Sequence, residues 1–530
     1  MSENTDFSYD KVLYPSYTHT QTHPDRLATL ATLLGMQPAP VERCSVLELG
    51  CGNGSNLVPM AYGLPESEFT GIDLAARPIE RGQATIDALG LKNIKLAQFD
   101  VMNITPDFGQ FDYIIAHGLY SWTPPLVRDK ILAICKVNLA PQGIAFVSYN
   151  AYPGSHLHNM VREMMLFHVR HFSNPQEQIT QAIALAKFLA ESQPALEKPD
   201  LYRLLLKEEL EEMIDHAAGH LYHDELAEIN EPVYFHQFME HATRHDLQFL
   251  AEAEFYEMQD HIYPPQVAET LRGLARKHIV LKEQYLDFLK CRRFRQTLLC
   301  HDDVAIDRSP KPEILTNLYF ASIARPVSEH PEINSKSVEE FRGAKGGRMA
   351  TDFPLAKAAM LHLGEIYPQA LHFRELLDQA RARLGQDTEE QAGEDAQEAQ
   401  TLAEILLGVY AAGVVEIHVY VPRCALHASE RPVASPLARF QVQSDNNVTT
   451  LRHTIVSIED LIGQKLLALL DGTRDRAALI EELQTFVKSD VVAQSKANAA
   501  TVDVEKVLQD VANDLEDNLA KLARLGLLIA

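Results

Sequence analysis

The sequence predicts an α/β protein: a doubly wound, Rossmann-like parallel sheet with a helical insertion, followed by a mainly helical, winged-helix-like C-terminal domain. Three observations carry this. From residue 45, short apolar runs rich in β-formers alternate with helical stretches. After residue 155 the pattern turns helical and stays so, without a strand signal, into the 240s. Beyond residue 352, apolar residues recur at helical spacing up to the short strand-like run "VVEIHVYV".

In order along the chain, "SVLELG" (45–50), "EFTGID" (68–73), "IKLAQFD" (94–100), "DYIIAHG" (112–118) and "IAFVSYN" (144–150) read as strands, with helices between them such as 76–89 and 124–138. Such alternation implies parallel strands whose carboxyl ends face a ligand. Those ends are Gly50, Asp73, Asp100, His117 and Asn150. Residues 1–160 therefore form the ligand-binding core and 161–245 an inserted helical cap. Within 246–325, strands near 248–256 and 294–300 complete the sheet. A polar linker covers 326–350, and the winged-helix-like domain 351–530. Inside that domain "GQDTEEQAGEDAQEAQ" (385–400) is acidic without a base and reads as a solvated loop.

A chain of 530 residues with 46% apolar content has material for two or three cores. Its formal charge of -25 argues against a sequence-independent grip on nucleic acid, which relies on clustered Lys and Arg. It suits a basic peptide partner, though acidity also serves solubility. The six cysteines are scattered without a CxxC, as in a reducing compartment. The N-terminus has no export signal, and no apolar run approaches the ~20 residues of a membrane helix. The expectation is a cytoplasmic protein with no membrane or nucleic-acid partner.

The glycines narrow the ligand. A dinucleotide fold wants GxGxxG, whereas Glu48, Gly50, Gly52 and Gly54 spell ExGxGxG, with Ser55 where the later glycine would stand. A pyrophosphate is less well seated there than a ligand carrying an amino-acid moiety and a sulfonium, which is the pattern of S-adenosylmethionine binding. Asp73 ends the next strand, where a carboxylate accepts from both ribose hydroxyls. Asp100 and Val101 are placed to meet the adenine.

These residues resemble the class I S-adenosylmethionine-dependent methyltransferases, and within them the rickettsial-type protein-lysine methyltransferases. The likeness is carried by "THPDRLATLATLLG" (22–35), "VLELGCGNGSNLVPMA" (46–61), "FTGIDLAARPIERG" (69–82), "AHGLYSWTP" (116–124), "SYNAYPG" (148–154), "EQYLDFLKCRRFRQTLLCH" (283–301) and "LLALLDGTRDRAALIEEL" (466–483). It implies a methyltransferase regulatory domain in the middle and a C-terminal winged-helix-like domain. It also implies methyl transfer to lysine side chains of outer-membrane proteins before export. The cofactor set it implies is Tyr14, Tyr17, Glu48, Gly50, Cys51, Gly52, Gly54, Asn56, Asp73, Leu74, Asp100, Val101 and His117, with Tyr14 and Tyr17 as a lid.

Methyl transfer from a sulfonium is an in-line displacement, so positioning and exclusion of water dominate. A lysine acceptor with a pKa near 10.4 is neutral in about one molecule in a thousand near pH 7.4, a cost of roughly 4 kcal/mol. A desolvating aromatic pocket lowers that pKa. Its candidate walls are Tyr14, Tyr17, Tyr120, Trp122 and Tyr152. The catalytic set is His117, Tyr120, Trp122 and Asn150: His117 contacts the cofactor's methionine part or takes a proton, and Asn150 orients the acceptor. Each has a plainer reading, His117 as a structural imidazole and Asn150 as a turn residue. Two alternatives stand beside protein methylation: a small-molecule N- or O-methyltransferase, and a non-catalytic cofactor-binding regulator. His216, His220 and His223, and His241 with His245, repeat at near-helical spacing. They lack the HExxH base, and chance pairs are expected among 22 histidines, so no metal is assigned.

Overall fold

The computed structural model describes residues 12, 14–191, 200–215, 218–343, 346–385, 392–491 and 504–530. The chain divides into two compact units, one of Met1–Tyr17, Met36–Ala61 and Glu66–Ile306, the other of Thr18–Gly35, Tyr62–Pro65 and Asp307–Ala530.

The first unit is built on a seven-stranded sheet. Its strands are β1 (Ser45–Leu49), β2 (Glu68–Asp73), β3 (Ile94–Gln98), β4 (Phe111–Ala116), β5 (Leu139–Asn150), β6 (Leu247–Glu252) and β7 (Phe294–His301), in the order β3-β2-β1-β4-β5-β7-β6. The first five run parallel, while β7 is antiparallel to both β5 and β6. Val46, Leu47 and Leu49 of β1 and Tyr113, Ile114 and Ile115 of β4 are all fully buried. Both faces of these strands are thus covered, which is why they read as apolar runs without polar alternation. The helices after the first, second and fourth strands are α1 (Leu57–Gly63), α2 (Ala76–Leu89) and α3 (Pro125–Val137). Gly90, at φ 66°, ends α2 in a left-handed turn.

The insertion consists of α4 (Ser155–Val169), α5 (Pro175–Glu191) and α6 (Leu201–Asp215), which share a small core of Val161, Met165, Ile179, Ala182, Leu206 and Leu210. The chain returns through α7 (Phe235–Thr243) to β6. It then passes α8 (Pro265–Lys277) and α9 (Ile279–Lys290) into β7. The two strands anticipated near 248–256 and 294–300 are β6 and β7.

At the β6–β7 edge lies Arg295, whose side chain is wholly buried. Its guanidinium donates to Asp287 of α9 at 2.8–3.1 Å, to Glu252 of β6 and to the Glu283 carbonyl, and lies 3.8 Å above the Phe235 ring of α7. One side chain thereby joins two strands and two helices. Burial pushes the Glu283 and Asp287 carboxyls up, against the pull of Arg295.

The second unit has two separate cores. One gathers Phe320, Phe341, Met360, Leu363, Leu376, Leu402 and Leu406 under the helices Pro354–Ile366, Phe373–Leu384 and Ala392–Ala411. The other, around Leu466, Leu470, Leu479, Leu483, Leu519 and Leu528, is formed by the helices Leu461–Leu469, Arg476–Phe486 and Leu515–Arg524, with the two-stranded sheet Asn447–Thr449/Ile455–Ser457 nearby in the chain. Four readings need correction here. The strand in "VVEIHVYV" (Glu416–His418) pairs with Tyr319–Ala321, beside the first of these cores. The polar linker contains the antiparallel strands Glu339–Arg342 and Arg348–Thr351, which bury Phe341 and Met349 and turn Arg342 and Arg348 outward. Of the acidic 385–400 segment, residues 392–400 are helical, and 386–391 lie outside the described residues. Thr18–Gly35, which the sequence placed with the first domain, groups with the second unit. There Asp25 of Pro24–Leu33 accepts from His418 Nδ1 at 2.7 Å and from the Val419 and Tyr420 amides. No described helix is long and apolar enough to cross a membrane.

Removing Arg295 takes the ion-pair partner from buried Glu283 and leaves Glu252 and Asp287 with Arg292 alone, a change on the order of 3–5 kcal/mol. Arg295→Met is therefore expected to lower the first unit's denaturant midpoint sharply, whereas Arg43→Ala, which breaks an exposed pair with Glu66, should leave it nearly unmoved. Equal midpoints for the Arg295→Met variant and the parent would refute a structural role for the network.

Candidate active site

The site begins where the strand order reverses, between β1 and β4. In doubly wound sheets a crevice opens there, beyond the carboxyl ends of the strands. The Gly50 and Cys51 amides both donate to the Ile72 carbonyl, at 2.9 and 3.0 Å, which extends the β1–β2 ladder past the last residue of β1. The backbone then turns through Gly50, Gly52 and Gly54 at φ 72°, 55° and 72°. Only glycine takes this left-handed region three times in five residues without steric cost. A Cβ on Gly50 would lie 3.3 Å from the Leu119 side chain, and one on Gly52 would lie 3.3 Å from Ser16 Oγ. Leu119 and the N-terminal segment thus flank the loop.

Two further glycines, not singled out from the sequence, shape it from below. A Cβ on Gly82 of α2 would fall 2.4 Å from the Asn53 carbonyl oxygen, and one on Gly71 of β2 would fall 2.8 Å from Cys51 Sγ. Leu96 of β3 fills the remaining space beside Gly54, Gly71 and Gly82.

Around this loop stand three acids. Asp73 accepts from the Gly52 amide through Oδ2 (2.9 Å) and from the Ala75 amide through Oδ1 (2.8 Å). Asp100 caps the short turn Val101–Asn103 by accepting from the Met102 amide at 2.9 Å. Glu48 is 4% exposed and accepts from Asn56 Nδ2 at 2.9 Å through Oε1, while Oε2 is buried with no hydrogen-bond partner among the described residues. Burial pushes the Glu48 carboxyl up to about 8, with the Asp73 charge adding to the rise and Asn56 opposing it. Leu74, 40% exposed, follows Asp73 at the rim.

The residues expected around the acceptor separate into two groups. His117 is half-buried, edge-on to Phe146 and Phe294. Trp122 is half-buried, and its indole N–H has no partner among the described residues. The Asn150 amide donates to Ser121 Oγ at 2.9 Å, and Asn150 Nδ2 donates to Asn230 Oδ1 at 2.9 Å. Tyr152 stacks on His156 at 4.1 Å and packs against Tyr234. Tyr120 differs. It is 3% exposed, packed edge-on to Phe238 and bonded through its hydroxyl to His241 Nδ1 at 2.8 Å. It is therefore an interior residue, and the expectation of a pocket wall there is corrected. Tyr14 and Tyr17 meet His220, with ring centroids 5.0 and 5.9 Å away, and Tyr14 donates to Asp224 Oδ2 at 3.3 Å. Asp224, unnoticed in the sequence, is pushed up to about 7 by burial and the neighbouring Glu225. His216 lies outside the described residues.

Comparison with known proteins now bears on this geometry. Residues 46–143 match the model of a methyltransferase domain, 217–301 a predicted methyltransferase regulatory domain, and 430–527 the PKMT C-terminal winged helix domain. An uncharacterised protein of Rickettsia prowazekii is 32% identical over 528 residues, covering 98% of this chain and 93% of the relative. The chain belongs to the rickettsial PKMT-type family of S-adenosylmethionine-dependent methyltransferases. The solved structure of PKMT2 from Rickettsia typhi is similar along the whole length, with 28% identity, a TM-score of 0.85, and coverage of 98% of this chain and all of that one. The same protein in complex with AdoHcy gives a TM-score of 0.84.

The methyltransferase's own residues fit its cofactor, S-adenosylmethionine. A tight glycine turn lies beside two strand-end carboxylates, and a buried carboxyl oxygen lacks a partner. Which side chain meets which part of the cofactor is our proposal: Asp73 at the ribose, Asp100 and Val101 at the adenine, and Glu48 with the glycine loop at the amino-acid end. On that assignment, Asp73→Ala is expected to weaken cofactor binding by on the order of 2 kcal/mol. Calorimetric titration with a circular-dichroism control for folding reads this out, and an unchanged affinity would sink the assignment. Glu48 allows a second prediction. Its folded pKa, about 8, lies above the ordinary 4.5, so the folded state holds the proton more tightly than the unfolded chain. Its contribution to stability is fully present below about pH 4.5 and is lost as pH rises towards 8, by roughly 3–6 kcal/mol. Without cofactor, Glu48→Gln should therefore show a flatter fall in melting temperature between pH 5 and 8.5 than the parent. Parallel curves would show that Glu48 carries no such penalty.

Proposed function

We propose that this methyltransferase transfers the methyl group of S-adenosylmethionine to lysine side chains of a protein substrate. The observation that carries the reading is the likeness to PKMT2 over 98% of the chain, regulatory and winged-helix regions included. The bound cofactor supplies an electrophilic methyl on a sulfonium, so the protein's tasks are to desolvate, deprotonate and align the amine.

Trp122 and Tyr152 are the aromatic candidates for the desolvating wall, both half-buried on loops that follow β4 and β5. Asn150 is held from two sides, by Ser121 at its amide and Asn230 at its side chain, which fixes the direction in which its carboxamide presents hydrogen bonds. Proton removal needs a base near neutrality. Asp224, pushed up to about 7 and bonded to Tyr14, supplies a carboxylate that accepts a proton in that range. Ser16, two residues after Tyr14, lies against the glycine loop, which supports a place for this N-terminal segment and its Asp224 partner near the cofactor. The acidic balance of the chain favours a substrate segment already rich in lysine.

The deciding experiment supplies purified enzyme with S-adenosylmethionine labelled at the methyl group, together with fractionated bacterial proteins, outer-membrane precursors among them, and small metabolites. Label is expected on lysine residues of polypeptides, and Asn150→Ala should lower transfer ~10-fold or more while cofactor affinity stays nearly constant. Label on metabolites alone would replace this reading with a small-molecule methyltransferase. Cofactor binding without transfer to either would replace it with a cofactor-binding regulator.

A further inference from the structure

The histidine pair at the end of α7 does not face solvent alone. His241 and His245 are four residues apart, and Arg244 between them keeps helical dihedrals (φ -65°, ψ -18°), so both rings project from one side. Opposite them is Asp129 of α3. Its Oδ1 lies 3.2 Å from His241 Nε2 and 2.8 Å from His245 Nε2, and the three candidate ligand atoms lie within 4.8 Å of one another.

We propose that Asp129, His241 and His245 form a binding site for a divalent transition metal of the zinc type. Imidazole and carboxylate ligands sit about 2.0–2.2 Å from such an ion, which in tetrahedral geometry separates neighbouring ligand atoms by roughly 3.3–3.6 Å. The observed spacings need only small side-chain rotations to reach that. Two imidazoles and one carboxylate suit zinc, cobalt, nickel or copper, while magnesium and calcium prefer all-oxygen sets. The partial exposure of all three side chains leaves coordination positions for water.

The surroundings prepare the ligands. Hydrogen bonds from His245 and His241 hold the Asp129 carboxyl below its ordinary range, and burial holds the His241 imidazole down. His241 Nδ1 is engaged by the Tyr120 hydroxyl at 2.8 Å. When Nε2 coordinates a metal, Nδ1 carries the proton and donates it to the Tyr120 oxygen, the outer contact that orients a metal-bound imidazole. Arg244 and Arg128, near Tyr120, are the cations that oppose the ion.

The location gives the site a role. Asp129 belongs to the segment matched as the methyltransferase domain, and His241 and His245 belong to the regulatory segment. An ion here would clamp the regulatory segment onto the helix that follows the loop bearing Trp122. Through Tyr120 it would also stiffen Ser121, the partner of Asn150.

The test is titration of the full-length, chelator-treated protein with cobalt(II), followed by visible absorption and by zinc competition. Expected is one equivalent bound with a cobalt spectrum of nitrogen-containing coordination, displaced by one equivalent of zinc. In His245→Ala, and separately in Asp129→Asn, binding should weaken ~10-fold or more with cofactor affinity unchanged. Both variants alter exposed or half-exposed side chains, so folding is retained and is checked by circular dichroism. Absence of any bound equivalent, or equal binding by the parent and both variants, would overturn the proposal and leave a plain carboxylate–imidazole hydrogen-bonded cluster.

Discussion

The bond from the Gly52 amide to Asp73 is the contact on which the geometry of the site depends. β1 and β2 are in register up to Leu49 opposite Ile72, and the Gly50 and Cys51 amides prolong that ladder onto one carbonyl. Beyond this point the chain must leave the sheet and reverse into α1. It does so through left-handed residues, each of which would cost an L side chain roughly 1–2 kcal/mol. Asp73 fixes the turn by taking the Gly52 amide with one oxygen while its other oxygen holds the start of α2. The same carboxylate thus sets the spacing between the two loops that border the crevice. Gly71 and Gly82 permit the close approach that this spacing demands, since a methyl group at either would strike the loop.

A second constraint works at the opposite side of the sheet. Strand β7 enters antiparallel between β5 and β6, and Arg295 on it is held by carboxylates from β6 and α9. Where β5 ends, the backbone passes so near β7 that a Cβ on Gly154 would meet the Cys291 carbonyl oxygen at 2.2 Å. The turn carrying Asn150 and Tyr152 is therefore pinned by backbone on one side. On the other, the Val233 amide donates to the Asn150 carbonyl, and the Glu231 amide donates to the Ser121 carbonyl. The segment Asn230–Val233, contributed by the regulatory region, thus packs on the turn that carries Asn150. The helical insertion departs from, and returns to, this same corner, which makes it a natural place for the region to influence chemistry.

How much of this was legible follows from the range of the interactions involved. The parallel strands were readable because burial on both faces writes continuous apolar runs. The glycine turn and Asp73 were readable because backbone conformation and strand-end chemistry are local. The interior position of Tyr120 was not, because it depends on Phe238 and His241 of a helix more than a hundred residues away. Gly71 and Gly82 looked like any small residues, since only the packing of α2 gives them meaning. The strands in 339–342 and 348–351 were hidden by Glu340, Arg342 and Arg348, which dominate composition while Phe341 and Met349 do the packing. Likewise nothing local in "THPDRLATLATLLG" says that Asp25 will seek the backbone at Val419 and Tyr420.

The two acids nearest the glycine loop show how one fold gives the same functional group two behaviours. Asp73 accepts from two backbone amides, one on each oxygen, so its carboxylate is held in a fixed direction. Glu48 is enclosed by apolar β1 neighbours, has one amide partner in Asn56, and feels Asp73 as a like charge. Neutrality is the cheaper state for it until a cation or donor arrives. A ligand whose amino-acid end carries an ammonium offers what Asn56 alone does not, whereas a pyrophosphate would add a further negative charge beside two carboxyls. The electrostatics of the loop therefore discriminate in the same direction as the spacing of its glycines, through a residue whose bond to Asn56 also ties the two ends of the turn together.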